Sequence, residues 1–122
     1  MRIAVLLLAV VLPQPAALAL PAGDPARGES LYETRCIGCH ALDDNRVGPR
    51  HRGVFGRRAG SVPDFDYSAA VKRSRIVWNE RTLERWLSNP EQLIPGQKMG
   101  YQVAQPQDRT DLIAYLKRES GQ

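Results

Sequence analysis

Residues 36–40 read Cys36-Ile37-Gly38-Cys39-His40, CIGCH, and hold both cysteines of the chain and one of its two histidines. Three familiar chemistries fit this group poorly. A disulfide between cysteines three apart closes a tiny loop and constrains the unfolded chain little. A thioredoxin-like dithiol belongs beside a βαβ pattern, and no run of alternating β-branched residues precedes Cys36. A tetrahedral zinc site needs four ligands. Cys36, Cys39, His40 and His51 formally supply them, but a histidine directly after the second cysteine is not the usual finger spacing.

A fourth chemistry accounts for the whole motif. Cys-x-x-Cys-His is the attachment signature of covalent haem. Two thiols three residues apart on a helical turn can add to the two vinyl groups on one side of a porphyrin. The adjacent histidine is then carried under the ring, with its imidazole toward the iron.

The chain around this motif reads as helices and loops. Asp24 caps a first helix and Pro25 suits its first position, where no N–H is needed. Gly28, Leu31 and Tyr32 share a face, and the helix runs straight into CIGCH. A short helix is expected near Ser68 to Arg73. A third follows Asn79, with Leu83, Trp86 and Leu87 on one face and Asn89-Pro90 as its stop. A fourth runs from about Asp108 to Glu119, with Leu112, Tyr115 and Leu116 facing inward and Gly121 as its stop. The links Ala41 to Phe65 and Glu91 to Gln107 are long for a small domain, as if something central organises them. The expected fold class is all-α.

The N-terminus reads as an export signal. Arg2 supplies a positive start, Ile3 to Leu12 is apolar, and Pro13 and Pro15 break that run before Ala17-Leu18-Ala19, an A-x-A cleavage pattern. Retention as a membrane anchor is the alternative, but a helical span needs roughly 20 apolar residues to cross ~30 Å of hydrocarbon. The expected organisation is a cleaved signal at residues 1–19 and one domain at residues 20–122. With 122 residues and a net charge of +4, the balance is mildly basic. Export, the lack of a Gly-rich phosphate loop and the lack of aromatics interleaved with a basic run all argue against nucleic acid as a partner.

Haem iron held by one histidine either stays open to ligands or takes a second protein ligand. Met99 and His51 are the candidates once Met1 leaves with the signal. Met99 sits in NPEQLIPGQKMGYQ (residues 89–102), a Pro- and Gly-bearing loop with no helix to bury it.

That segment, with DRTDLIAYLKRES (residues 108–120), resembles the class I cytochromes c, specifically the mitochondrial cytochrome c and bacterial cytochrome c2 group. VGPRHRGVFGRRAG, FDYSAAV and VWNERTLERWLSNP fit the same family in the same order. The resemblance covers roughly Asp24 to Arg118. It implies the class I fold, with N- and C-terminal helices crossing and long loops wrapping one covalently bound haem c. On matching positions, Cys36 and Cys39 would hold the haem by thioethers, with His40 as proximal and Met99 as distal iron ligand. Pro49 would orient the proximal imidazole through its carbonyl. Arg57, Tyr67 and Trp78 would meet the haem propionates. Gly28 and Tyr32 would meet the last helix at Leu112 and Tyr115.

The sequence also departs from that pattern. Trp86 stands where a tyrosine is frequent near the distal sulfur, Val71 for an asparagine and Gln97 for a threonine. His51 replaces an apolar core residue. Glu91 and Gln92 replace lysines of the mitochondrial docking ring, although Arg35 and Lys98 keep part of it and Arg73 and Arg75 are further candidates for a positive front face.

The resemblance implies an electron-transfer protein rather than an enzyme: a soluble, monomeric, periplasmic carrier cycling one haem iron between Fe(II) and Fe(III). Its partners would be membrane redox complexes (cytochrome bc1, an oxidase or a reaction centre) or a periplasmic dehydrogenase, each docking transiently. A gas-binding or weakly peroxidatic haem protein is the rival from another class, and a dedicated dehydrogenase subunit is a second.

Overall fold

Asp24 starts the architecture as the sequence predicts. In the computed structural model, which describes residues 10–122, its carboxylate accepts hydrogen bonds from the Ala26 and Arg27 N–H groups, and Pro25 opens helix α1, Pro25–Arg35. Helix α2 is Ala69–Arg73, capped by the Ser68 hydroxyl. Helix α3, Glu80–Ser88, begins with a reciprocal capping box between Asn79 and Thr82. Helix α4 is Pro90–Leu93 and helix α5 is Pro106–Arg118. Among the described residues the only β-pairing is an isolated antiparallel bridge between Arg58 and Val77. The all-α expectation holds.

Helix α4 is absent from the sequence expectation, which takes Asn89-Pro90 as a stop. Asn89 does both jobs. Its N–H closes on the Arg85 carbonyl to end α3, while its side-chain oxygen accepts from Gln92 N–H to start α4. Pro90 then occupies the first helical position, where its missing N–H costs nothing. Helix α5 starts two residues earlier than expected, at Pro106, with no side-chain cap.

Helix α1 packs on α5, and α3 touches both α4 and α5. Gly28 makes the α1/α5 crossing close: a Cβ there would lie 2.0 Å from the Asp111 carbonyl oxygen and 2.9 Å from Tyr115 Cβ. The Tyr32 and Tyr115 rings meet across the seam with centroids 5.1 Å apart. Leu31, Leu112, Ile113 and Leu116 complete this part of the core, which continues through Val54, Ala59, Val71, Trp78, Leu83, Ile94 and Val103. Each large aliphatic side chain buried this way contributes roughly 1.5–3 kcal/mol.

A polar lock closes the seam at its N-terminal end. Asp111, 1% exposed, accepts from Asp24 N–H (2.9 Å), from Gln107 (2.9 Å) and from Arg27. Asp108, 4% exposed, pairs with Arg27 (2.6 Å) and Arg35 (3.0 Å). The bond from Arg27 is the first cause holding the Asp108 carboxyl below the usual carboxylate range. Burial pushes Asp111 up, but the bonds from Asp24, Arg27 and Gln107 outweigh it and leave that carboxyl low as well. Removing one partner would leave buried charge unpaired, which is the costly case.

The apolar run of the expected signal begins in residues 3–9, which lie outside the described residues. Residues 10–20 have no regular structure, and Val10, Val11, Leu12 and Leu18 are largely exposed. Among the described residues no helix is long and apolar enough to cross a membrane.

Candidate haem site

Helix α1 hands the chain directly to the motif. Cys36 N–H donates to the Tyr32 carbonyl (2.9 Å), and Cys39 and His40 N–H groups both donate back to the Cys36 carbonyl (3.1 and 2.9 Å). Residues 36–40 therefore form one tight turn that offers two thiols and an imidazole from a single piece of backbone. Both thiols are unpaired. Cys36 is half-buried against the core, and burial pushes its thiol up to about 11. A redox dithiol needs the opposite, a lowered pKa that supplies thiolate.

The loop after the motif folds back beneath His40. Gly48 N–H donates to the Cys39 carbonyl (2.9 Å), and His51 and Arg52 N–H groups donate to the Ala41 and Leu42 carbonyls (3.0 and 2.8 Å). The Pro49 carbonyl then meets the edge of the ring, its oxygen 3.0 Å from His40 Nδ1. A carbonyl only accepts, so Nδ1 carries the proton and Nε2 is left as the free lone pair. Burial lowers the His40 pKa, partly offset by the Pro49 bond, and so favours the neutral form that binds metals. Gly48 is needed for this approach: a Cβ there would lie 2.1 Å from His40 Cε1.

The His51 ring stacks on the His40 ring, with centroids 3.9 Å apart and planes 22° from parallel. Two imidazoles face to face cannot both aim a nitrogen lone pair at one tetrahedral ion. Consistent with that, no group of three or more His, Cys, Asp or Glu side chains among the described residues is arranged to hold a metal ion. The formal zinc set of Cys36, Cys39, His40 and His51 is not assembled.

Arg57, Tyr67 and Trp78 gather on the next layer. Trp78 N–H donates to the Arg57 carbonyl (2.9 Å), Gly56 N–H donates to the Trp78 carbonyl (2.6 Å), and the Arg58–Val77 bridge continues the pairing. Tyr67 Oη accepts from Val62 N–H (3.2 Å). The Arg57 guanidinium donates to the carbonyls of Arg50 (2.9 Å) and Arg52 (3.3 Å), yet its buried Nε has no partner. Burial lowers the Arg57 pKa, with Tyr67 pulling it back up. Among the described residues no acidic side chain pairs with this cation, so its buried Nε has room for a further acceptor.

Met99 comes from the opposite side of the sequence and is half-buried. With Asn89, Pro90, Glu91, Gln97, Gly100 and Gln102 it lines a cavity of about 300 Å³. No hydrogen bond joins it to His40 or to the Arg57 layer. The backbone around it is held by side chains. Glu91 accepts from Gly96 N–H (2.8 Å) and from the Gln97 amide (3.1 Å), and Gln97 Oε1 accepts from Met99 N–H (2.5 Å). Trp86 packs on Trp78, with ring centroids 5.2 Å apart.

Residues 25–119 match the family described as cytochrome c. This chain belongs to the cytochrome c family. Cytochrome c of Sesamum indicum is 44% identical over 105 residues, spanning 83% of this chain and 95% of its own. Cytochrome c 2.1 of Caenorhabditis elegans is 43% identical over 105 residues, spanning 84% and 95%. Among solved structures, cytochrome cH from Methylobacterium extorquens has a TM-score of 0.75 at 38% identity, covering 79% of this chain and 99% of that one. The helical architecture is accordingly the class I cytochrome c fold, and the function is that of a monohaem electron carrier rather than an enzyme.

The family's cofactor is covalent haem c with its iron, and the residues present fit it. Two unpaired thiols lie on one turn, a neutral imidazole beside them keeps Nε2 free, and a buried arginine nitrogen has no partner. Sequence reasoning missed Gly48, the Tyr32–His51 contact and the holding role of Glu91. Gly48 beside Pro49 is the only local signal for any of them.

Proposed function

We propose that Cys36 and Cys39 bind the haem by thioethers, with His40 as the proximal and Met99 as the distal iron ligand. The observation that carries this reading is the His40–Pro49 hydrogen bond over Gly48, which presents a fixed, neutral imidazole one residue from the second thiol. The bound haem supplies a one-electron ferrous–ferric couple. The protein's own residues do the rest. Pro49 holds the His40 tautomer and ring orientation. Arg57, Tyr67 and Trp78 serve the propionates, and the unpartnered Arg57 Nε supports that role. Two protein ligands would keep the iron's surroundings similar in both oxidation states and would block oxygen from binding.

The same reading places the chain in the bacterial periplasm as a soluble monomer, after removal of residues 1–19. The Arg2-to-Ala19 pattern and the exposed, irregular segment 10–20 support it. The partners are membrane redox complexes (cytochrome bc1, an oxidase or a reaction centre) or a periplasmic dehydrogenase, met in brief, charge-steered encounters. The positive front face is smaller than the sequence implies, because Arg35 is paired with Asp108.

Met99→Ala should abolish the near-infrared sulfur-to-iron band of the oxidised protein. Survival of that band in the variant rules Met99 out as a ligand. In a protein with Cys36 and Cys39 both changed to serine, acid acetone should extract the haem completely. Rapid carbon monoxide binding by the reduced wild type at neutral pH would favour the ligand-binding class instead.

A further inference from the structure

His51 takes no part in the haem-binding set above, yet it is the side chain in closest register with His40. Its ring covers one face of the His40 imidazole at 3.9 Å and 22°. Its Nδ1 is 3.0 Å from the Tyr32 hydroxyl, and the Tyr32 ring meets Tyr115 of α5 at 5.1 Å. The His51 backbone is pinned as well, through its N–H to the Ala41 carbonyl.

Pro49 and His51 restrain different motions of His40. The Pro49 carbonyl fixes where the Nδ1 edge points, but a single hydrogen bond tolerates tilting of the ring about that edge. A flat ring stacked on the face removes the tilt. An aliphatic side chain at 51 would fill similar space without defining a plane. The Tyr32 hydroxyl does for His51 what Pro49 does for His40, since it settles which way the second ring turns.

We propose that His51 is a positioning residue for the proximal ligand: stacked on His40 and oriented by Tyr32, it transmits the geometry of the α1/α5 crossing to the plane of the imidazole that binds the iron. The inference rests on His40 being that ligand. The plane of an axial imidazole sets how unpaired spin is spread over a ferric porphyrin. It is therefore read by the pattern of haem-methyl proton shifts and by the g-values of the oxidised holoprotein, neither of which a residue that merely fills the core would move.

The test uses oxidised holoprotein in wild-type form and as His51→Leu, His51→Phe and Tyr32→Phe. His51→Leu should reorder or compress the haem-methyl shifts and change the g-values. Tyr32→Phe, which keeps the ring and loses only the hydroxyl, should move them the same way by less. His51→Phe, still flat, should stay nearer the wild type than His51→Leu. Unchanged shifts and g-values in His51→Leu and Tyr32→Phe, with wild-type far-ultraviolet circular dichroism, overturn the inference. Should His51→Leu fail to fold, unchanged spectra of Tyr32→Phe overturn it alone. His40→Ala separates the two layers of argument. If it keeps the wild-type low-spin ferric spectrum, the ligand assignment itself falls. If the wild-type spectrum requires His40 and the other variants do nothing, only the role of His51 falls.

Discussion

The segments that carry His40 and Met99, the two proposed iron ligands, are held in different ways. On the His40 side, residues 36–52 are tied by backbone hydrogen bonds, a carbonyl at the edge of the imidazole, a stacked second ring and a glycine with no room for a methyl group. On the Met99 side, the loop after α4 hangs on polar side chains: Glu91 grips Gly96 and Gln97, and Gln97 grips Met99. Glu91, Gly96, Lys98, Gly100 and Tyr101 are exposed. Regions with few buried contacts and solvent-facing hydrogen bonds open first. Under the proposed ligation, the His40 side is the more tightly held, and the Met99 loop is expected to open first.

Glycine substitutions test this contrast most directly. Gly48→Ala forces a methyl to 2.1 Å from the His40 ring. It should cost about 3 kcal/mol, the upper end of overpacking in a tight site, in guanidinium unfolding of the holoprotein. Gly100 has no atom near the position of an added Cβ and no left-handed backbone angle. Gly100→Ala should therefore change stability by less than about 0.5 kcal/mol. Equal effects at the two positions would break the comparison.

The polar lock on α1 asks whether the proximal side depends on the helix crossing. Asp108 and Asp111 have carboxyls lowered in the folded state, so the stability they add is present above the ordinary carboxylate pKa. It is lost as pH falls through their depressed values. In Arg27→Leu both carboxyls rise, protonation starts at higher pH, and the acid-unfolding midpoint should move up. Circular dichroism and the haem absorption should follow the same curve. A midpoint that stays in place dismisses the lock as a support for the His40 side.

A smaller effect is expected from the Met99 loop. Glu91→Ala removes two hydrogen bonds from an exposed carboxylate and should cost about 1 kcal/mol. Most of that cost should appear locally. The near-infrared band should fade at a lower temperature than in the wild type, while the far-ultraviolet signal melts almost unchanged. Loss of both together would mean that the distal loop is part of the rigid body after all.

Legibility in the sequence follows the range of the interactions. Helices α1 and α3 are readable because Asp24, Pro25 and Asn79 act on neighbours within two or three residues. Helix α4 is not, because Asn89 ends one helix through its backbone and starts the next through its side chain, and a Pro after Asn reads equally as a stop. The start of α5 was misplaced because Gln105 makes no side-chain cap. Gly28 was legible as a close approach between helices, since a glycine inside a helix carries a cost that calls for a reason. Trp86, read as part of the apolar face of α3 and as a departure from a tyrosine, packs on Trp78.

The sequence by itself pointed to a covalent haem, the order of the family's motifs and the all-helical class, because a Cys-x-x-Cys-His spacing and helix caps are local features. Only the tertiary structure decided what surrounds the imidazole. It set His51 against His40, Tyr32 against His51, Gly48 close to the ring and the Pro49 carbonyl at its Nδ1 edge, and it left the Arg57 Nε without a partner. Those relations depend on a loop folding back and on two helices crossing. A linear pattern names the side chains that meet there but does not carry the distances and angles at which they meet.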